Sequence, residues 1–193
     1  MLARTTAAHV VLRIELLEIE PLIWRRVRVA PSASFKRLHD ILQIALGWQN
    51  SHLHEFRAGE LVLNMKGIDE FEERANVQYE DDWTLKDLLD SGVKEFEYAY
   101  DFGDGWLHRI VVEPVTRERL PGPTPLCLAG ENACPPEDVG GPHRYGEFLR
   151  AIAEPGHEEH AMFLEWIGGV WDPKGFDLNR INRELRRPRR GQQ

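Results

Sequence analysis

The sequence predicts an α+β fold: a largely antiparallel sheet with one helix inserted early and a helical C-terminal portion. Three features point there. Apolar residues alternate through the first 30 positions and again near residue 100, the period of half-buried strands. One strongly helical segment follows the first two strands, and helical spacing then dominates beyond residue 142. Regular β–α alternation is absent, as are GxGxxG and P-loop phosphate cradles.

Residues 9–20, HVVLRIELLEIE, read as the first strand. Leu12, Ile14 and Leu16 alternate with Arg13 and Glu15, and the apolar phase then slips to Leu17 and Ile19, which suggests a bulge. After Pro21, residues 22–29 alternate again, with Val27 and Val29 opposite Arg26 and Arg28. Pro31 and Ser34 open a helix in which Phe35, Leu38, Ile41, Leu42 and Ala45 recur at helical spacing, with Gly47 placed as C-cap. Residues 52–58 and 61–64 read as short strands around Gly59, and 65–82 as mostly loop. Thr84 caps a short helix, TLKDLLDSG. KEFEYAYDFGDGWLHRIVVE is the clearest hairpin. A two-residue turn would put Phe96, Tyr98 and Tyr100 on one face with Leu107, Arg109 and Val111, and Asp101, Trp106, His108 and Ile110 on the other. Residues 114–142 hold seven Pro and four Gly and read as a long aperiodic segment. Three helices follow: one with Tyr145, Phe148, Leu149 and Ile152 inward, one around Phe163, Trp166 and Ile167, and one capped by Asp177.

A length of 193 residues suits one domain, 1–193, able to bury a core without disulfides. No run approaches a membrane span, no signal-peptide core precedes Arg13, and two cysteines make no disulfide framework, so the expected compartment is the cytoplasm. The net charge of −8 is uneven: from Arg180 onward six Arg oppose one Glu, +5, leaving −13 on residues 1–179. An acidic body repels phosphate, so nucleic-acid contact is expected only through the Arg-rich C-terminus, with its basic tail at 186–193.

Three constellations could carry chemistry. In WQNSHLHEF, His52, His54 and Phe56 share a strand face; the two imidazoles suit one metal or one ligand, or simple hydrogen bonds at the sheet rim. In DFGDGWLH, a tight turn brings Asp101 opposite or diagonal to His108, a carboxylate able to orient an imidazole, while Asp104 also suits a plain Asp-Gly turn. In CLAGENACPPEDVGG, six residues separate Cys127 from Cys134, which fits neither CxxC pattern. Two thiolates with two of His54, His108 and His143 would complete a four-ligand zinc site, His54 and His108 being the pair taken; a disulfide or packed free thiols are the alternatives. Glu137 and Asp138 either enter a site or cap the next helix. Candidate catalytic groups are therefore His54, Asp101, His108 and Glu137. The ligand-binding set is His52, His54, Asp101, Trp106, His108, Glu137 and Asp138, and the metal set Cys127, Cys134, His54 and His108. No GxSxG or HExxH motif occurs.

The blocks WRR, HLHEF, YDFGDGWLH, CPPEDVGG and DPKGFD, in this order from about Arg13 to Leu185, resemble the plasmid pRiA4b Orf-3-like family. The resemblance implies a compact α+β domain of prokaryotes and their mobile elements; some similar proteins carry the label insertion-sequence passenger protein TnpR. It brings no assigned catalytic residues. Arg144 departs from the pattern, where a Gly before Tyr145 is more typical. The expected function is an accessory or binding domain with an unknown ligand or protein partner. The alternative is a zinc-dependent hydrolase using a His/Asp/Cys cluster.

Overall fold

Alternation of apolar and polar residues decides which side of the sheet is buried. In a computed structural model, which describes residues 9–67, 77–114 and 123–187, eight strands form one sheet: β1 Val10–Leu16, β2 Ile23–Val29, β3 His54–Ala58, β4 Leu61–Asn64, β5 Val77–Tyr79, β6 Glu95–Tyr100, β7 Trp106–Val112 and β8 Leu126–Glu131. Their order is β5-β4-β3-β6-β7-β1-β2-β8, and every neighbouring pair is antiparallel except β4 with β5. The helices are α1 Phe35–Leu46, α2 Leu85–Asp90, α3 Gly141–Ala153, α4 His160–Ile167 and α5 Leu178–Leu185. Among the described residues no helix is long and apolar enough to cross a membrane.

Leu12, Ile14, Val27, Phe56, Phe96, Tyr98 and Ile110 share the buried face. Helix α1 lies on it: Phe35 makes edge contacts with Phe56 at 5.0 Å and Phe96 at 5.7 Å. The opposite face carries ion pairs, among them Arg13–Glu15, Arg26–Glu113 and Arg109–Glu95. A sheet covered on one side needs such a polar outer row.

The caps form as the sequence predicts. Ser34 accepts from the Arg37 amide, Gly47 closes α1 at φ 90°, Thr84 and Asp87 make a reciprocal capping box, and Asp177 accepts from the Arg180 amide.

Four expectations are corrected. The phase slip after Leu16 is not a bulge: the strand ends there, Leu17 donates to the Leu107 carbonyl, and Glu18 turns the chain with φ 61°. Within 65–82, the chain adds strand β5, parallel to β4; residues 68–76 lie outside the described set. The supposed aperiodic stretch 114–142 contains β8, which pairs with β2 as an edge strand. The hairpin turn spans five residues, because Tyr100 pairs with Trp106. Asp101 enters it at φ 55° and its Oδ1 accepts from the Gly103 and Asp104 amides, so a carboxylate, rather than a two-residue turn, organises the loop. The face assignment inverts accordingly: Phe96, Tyr98 and Tyr100 lie with Trp106, His108 and Ile110, and His108 faces Tyr98, not Asp101. Of the basic tail, Arg186 and Arg187 are exposed and 188–193 lie outside the described residues.

Candidate functional site

Past the end of α1 the chain must turn back into β3, and a ring of hydrogen bonds fixes how. Asn50, at φ 59°, donates its amide to Gln43 Oε1, and Gln43 Nε2 donates to the Tyr98 hydroxyl at 3.0 Å. His39 Nε2 bonds Asn50 Oδ1 at 2.6 Å, so its Nδ1 is the bare nitrogen and accepts from Tyr98 at 2.8 Å. The ring is closed and its donors and acceptors are matched, which makes the segment 47–53 a defined platform.

On that platform Trp48 stacks on Tyr100, centroids 4.9 Å apart, and donates Nε1 to the Pro135 carbonyl. The Tyr100 hydroxyl donates to Glu137 Oε1 at 2.5 Å, which also accepts from the Gln49 amide. Burial, and then the Glu137 carboxylate beside it, push the Tyr100 hydroxyl well above its usual range, so it remains a donor. Next to it, His52 Nε2 lies 3.1 Å from Asp138 Oδ1 and 3.6 Å from Asp101 Oδ2. The hairpin turn and the Cys-Pro-Pro loop are drawn together by Gly140, which donates to Asp104 Oδ2, and by Gly141, whose missing Cβ would sit 2.4 Å from the Asp104 carbonyl oxygen.

Beside these groups opens a cleft of about 610 Å³ between the end of α1, residues 133–138 and residues 166–181. Trp48, Trp166, Trp171 and Phe176 supply aromatic walls, and Glu137 and Asp138 line it. Arg25, nearly fully buried, is also in its lining. Its guanidinium donates to the carbonyls of Ala45, Trp24, Glu131 and Asn132, and lies 4.8 Å from the Phe176 ring. The Ala45 carbonyl belongs to the last turn of α1, where a cation is favoured. Gly130 makes the arrangement possible, since a Cβ there would lie 2.7 Å from Phe176 and 2.8 Å from Arg25.

Thus Glu137 and Asp138 line the cleft, His52 and Asp101 stand beside Asp138, and three other sequence candidates lie elsewhere. His54 is buried, stacks on His39 at 3.5 Å and bonds Glu80 Oε2 at 2.7 Å. Trp106 is buried in the core. His108 is enclosed, with Nδ1 on the Tyr98 carbonyl, and burial lowers its pKa to about 4. The metal set Cys127, Cys134, His54 and His108 does not assemble. Among the described residues, the one group of three or more such donors that converges is His52, Asp101 and Asp138. The reason is topological: five strand steps separate His54 on β3 from Cys127 on β8. Both thiols are free and buried; burial pushes Cys127 up to about 11 and Cys134 upward, with Arg25 only partly opposing. Sequence reasoning passed over Arg25 and Phe176 as site residues. The first Arg of WRR, Arg25, falls on the apolar face of β2 with Ile23 and Val27, a placement the alternation itself shows.

Comparisons with known proteins agree with this architecture. The uncharacterized protein y4hQ of Sinorhizobium fredii is 40% identical over 180 residues, 93% of this chain and 91% of that one. The crystal structure of the protein of unknown function MM3350 from Methanosarcina mazei Go1 matches with TM-score 0.78 and 31% identity, covering 88% of this chain and 95% of that one. Residues 8–180, which hold the sheet, the hairpin turn, the Cys-Pro-Pro loop and all of the cleft lining but Ile181, match the family described as plasmid pRiA4b ORF-3-like protein, and the chain belongs to that family.

Proposed function

We propose that the protein is an accessory binding domain of plasmid or mobile-element biology, acting in the cytoplasm, and that it takes its ligand in the aromatic cleft. The observation that carries this reading is the cleft itself: about 610 Å³, walled by three indoles and a phenyl ring, with Glu137, Asp138, Asp177 and Arg180 also in its lining. Concave sites that combine apolar walls with a few fixed polar groups are where ligands bind. Trp166 is 45% exposed although it belongs to an aromatic cluster with Phe148 and Phe163, so its ring offers contact area without needing to be ordered first. The ligand that suits the lining offers apolar surface together with a cationic or hydrogen-bond-donating group for Glu137 and Asp138. The acidic body opposes a polyphosphate at this place; any nucleic-acid contact belongs to the basic C-terminal end.

The test is a binding screen of purified protein against nucleic acids and cell-extract proteins, read by tryptophan fluorescence and repeated with Trp166→Ala. A ligand whose affinity falls about tenfold or more in that variant supports the cleft. Two results overturn the reading: turnover of a phosphoester or amide substrate by the purified protein, or a ligand whose affinity ignores the cleft. Deleting the last eight residues should leave cleft binding unchanged and abolish contact made by the tail.

A further inference from the structure

We propose that His52, Asp101 and Asp138 form a binding site for one divalent transition-metal ion at the edge of the cleft. Their three ligand atoms lie within 4.8 Å of one another. His52 Nε2 is shut off from water, yet it makes no hydrogen bond, although Asp138 Oδ1 stands 3.1 Å away and Asp101 Oδ2 3.6 Å away. A desolvated imidazole nitrogen between two carboxylates, aligned with neither, is costly unless something else occupies its lone pair. An ion supplies that. Two ligands held about 2.1 Å from one metal at tetrahedral or octahedral angles stand roughly 3.0–3.4 Å apart, close to the two N–O separations here.

The donors come from three chain segments whose mutual placement is fixed by other contacts. Asp101 donates its amide to the Leu53 carbonyl, tying the hairpin turn to the residue after His52. The Asp101 Oδ1 atom is held by the Gly103 and Asp104 amides, leaving Oδ2 for His52 and an ion. Asp104 Oδ2 in turn holds Gly140, two residues beyond Asp138. These are the outer contacts that orient ligands around a metal. Two carboxylates and a neutral imidazole balance a dication. One nitrogen and two oxygens suit Zn²⁺, Mn²⁺ or Fe²⁺ better than Ca²⁺, which takes oxygen alone. Three protein donors leave further positions for water or a ligand group, and Asp138, whose side chain is 71% exposed, keeps the site reachable from solvent. The site shares Asp138 with the cleft, but its test is separate: it stands or falls on metal uptake.

The experiment is calorimetric titration and equilibrium dialysis of untagged protein with Zn²⁺ and with Mn²⁺ at neutral pH. We expect one ion per chain and a rise in melting temperature that a chelator reverses. Asp138→Asn, at an exposed position, should fold normally and bind at least tenfold more weakly. With Mn²⁺ bound, pulsed electron paramagnetic resonance should show coupling to an imidazole nitrogen that disappears in His52→Ala. Cys134→Ser and Trp166→Ala should bind metal as the parent does. No uptake at about 100 µM metal overturns the proposal. So does uptake unaffected by Asp138→Asn and His52→Ala.

Discussion

His108 has no exposed surface, and its Nε2 makes no hydrogen bond. Burial holds its pKa near 4 against an ordinary 6.5. Between those values the unfolded chain takes up a proton that the folded chain refuses. Stability is therefore complete above about pH 6.5 and falls as the pH drops toward 4. The full loss is on the order of 3 kcal/mol. Urea unfolding at a series of pH values should show this slope, and His108→Phe should flatten it. The thiols make a second case. Because burial raises Cys127 to about 11 and also raises Cys134, neither is a thiolate at neutral pH. Both should resist alkylation in the folded protein and react at once in denaturant. Rapid labelling of the native chain would count against this placement.

At the scale of elements, β8 poses an edge-strand problem that α5 solves. Asn182 accepts from the Cys127 amide and donates to the Cys127 carbonyl, pairing the strand as a neighbouring backbone would. Asn182→Ala should cost about 1–3 kcal/mol, read as a lower urea midpoint at unchanged slope. The join between the hairpin turn and the Cys-Pro-Pro loop depends on Gly141, at φ 78°, where a Cβ would lie 2.4 Å from the Asp104 carbonyl oxygen. Gly141→Ala meets both a steric clash and an unfavourable backbone conformation, about 2 kcal/mol or more. Arg144, the residue that departs from the family pattern, has a use at this scale. It pairs with Glu147 on its own helix and with Glu159 just before α4, and lies over the Phe163 ring at 4.8 Å.

Across the whole molecule, one sheet and one buried cluster connect the N-terminal strands to the C-terminal helices, so cooperative unfolding is expected. Far-ultraviolet dichroism and tryptophan fluorescence should give coincident urea transitions. Separate transitions would mean that α3 to α5 unfold as a unit of their own. On the uncovered sheet face the Arg109–Glu95 pair is exposed on both sides, so Arg109→Ala should shift stability by less than about 1 kcal/mol.

The sequence by itself determined the caps, the helices, the first two strands and which residues of one strand share a face, because those are set by neighbours a few residues apart. The residue types gathered at the site were legible too: His52, Asp101, Glu137 and Asp138 stand out as chemistry beside glycines. Their grouping was not. Asp101 was matched with His108 on the assumption of a two-residue turn, whereas its own carboxylate builds a five-residue one and moves the register. Cys127, Cys134, His54 and His108 looked like a zinc set only while strand order was unknown. β8 was hidden because its run LCLAGE, rich in small residues, has too little apolar alternation to reveal a strand that is secured by pairing with β2 and by Asn182. Tertiary structure alone decided the strand order, the turn length and the meeting of the turn with the loop. Each depends on contacts between residues tens of positions apart, which local spacing does not encode.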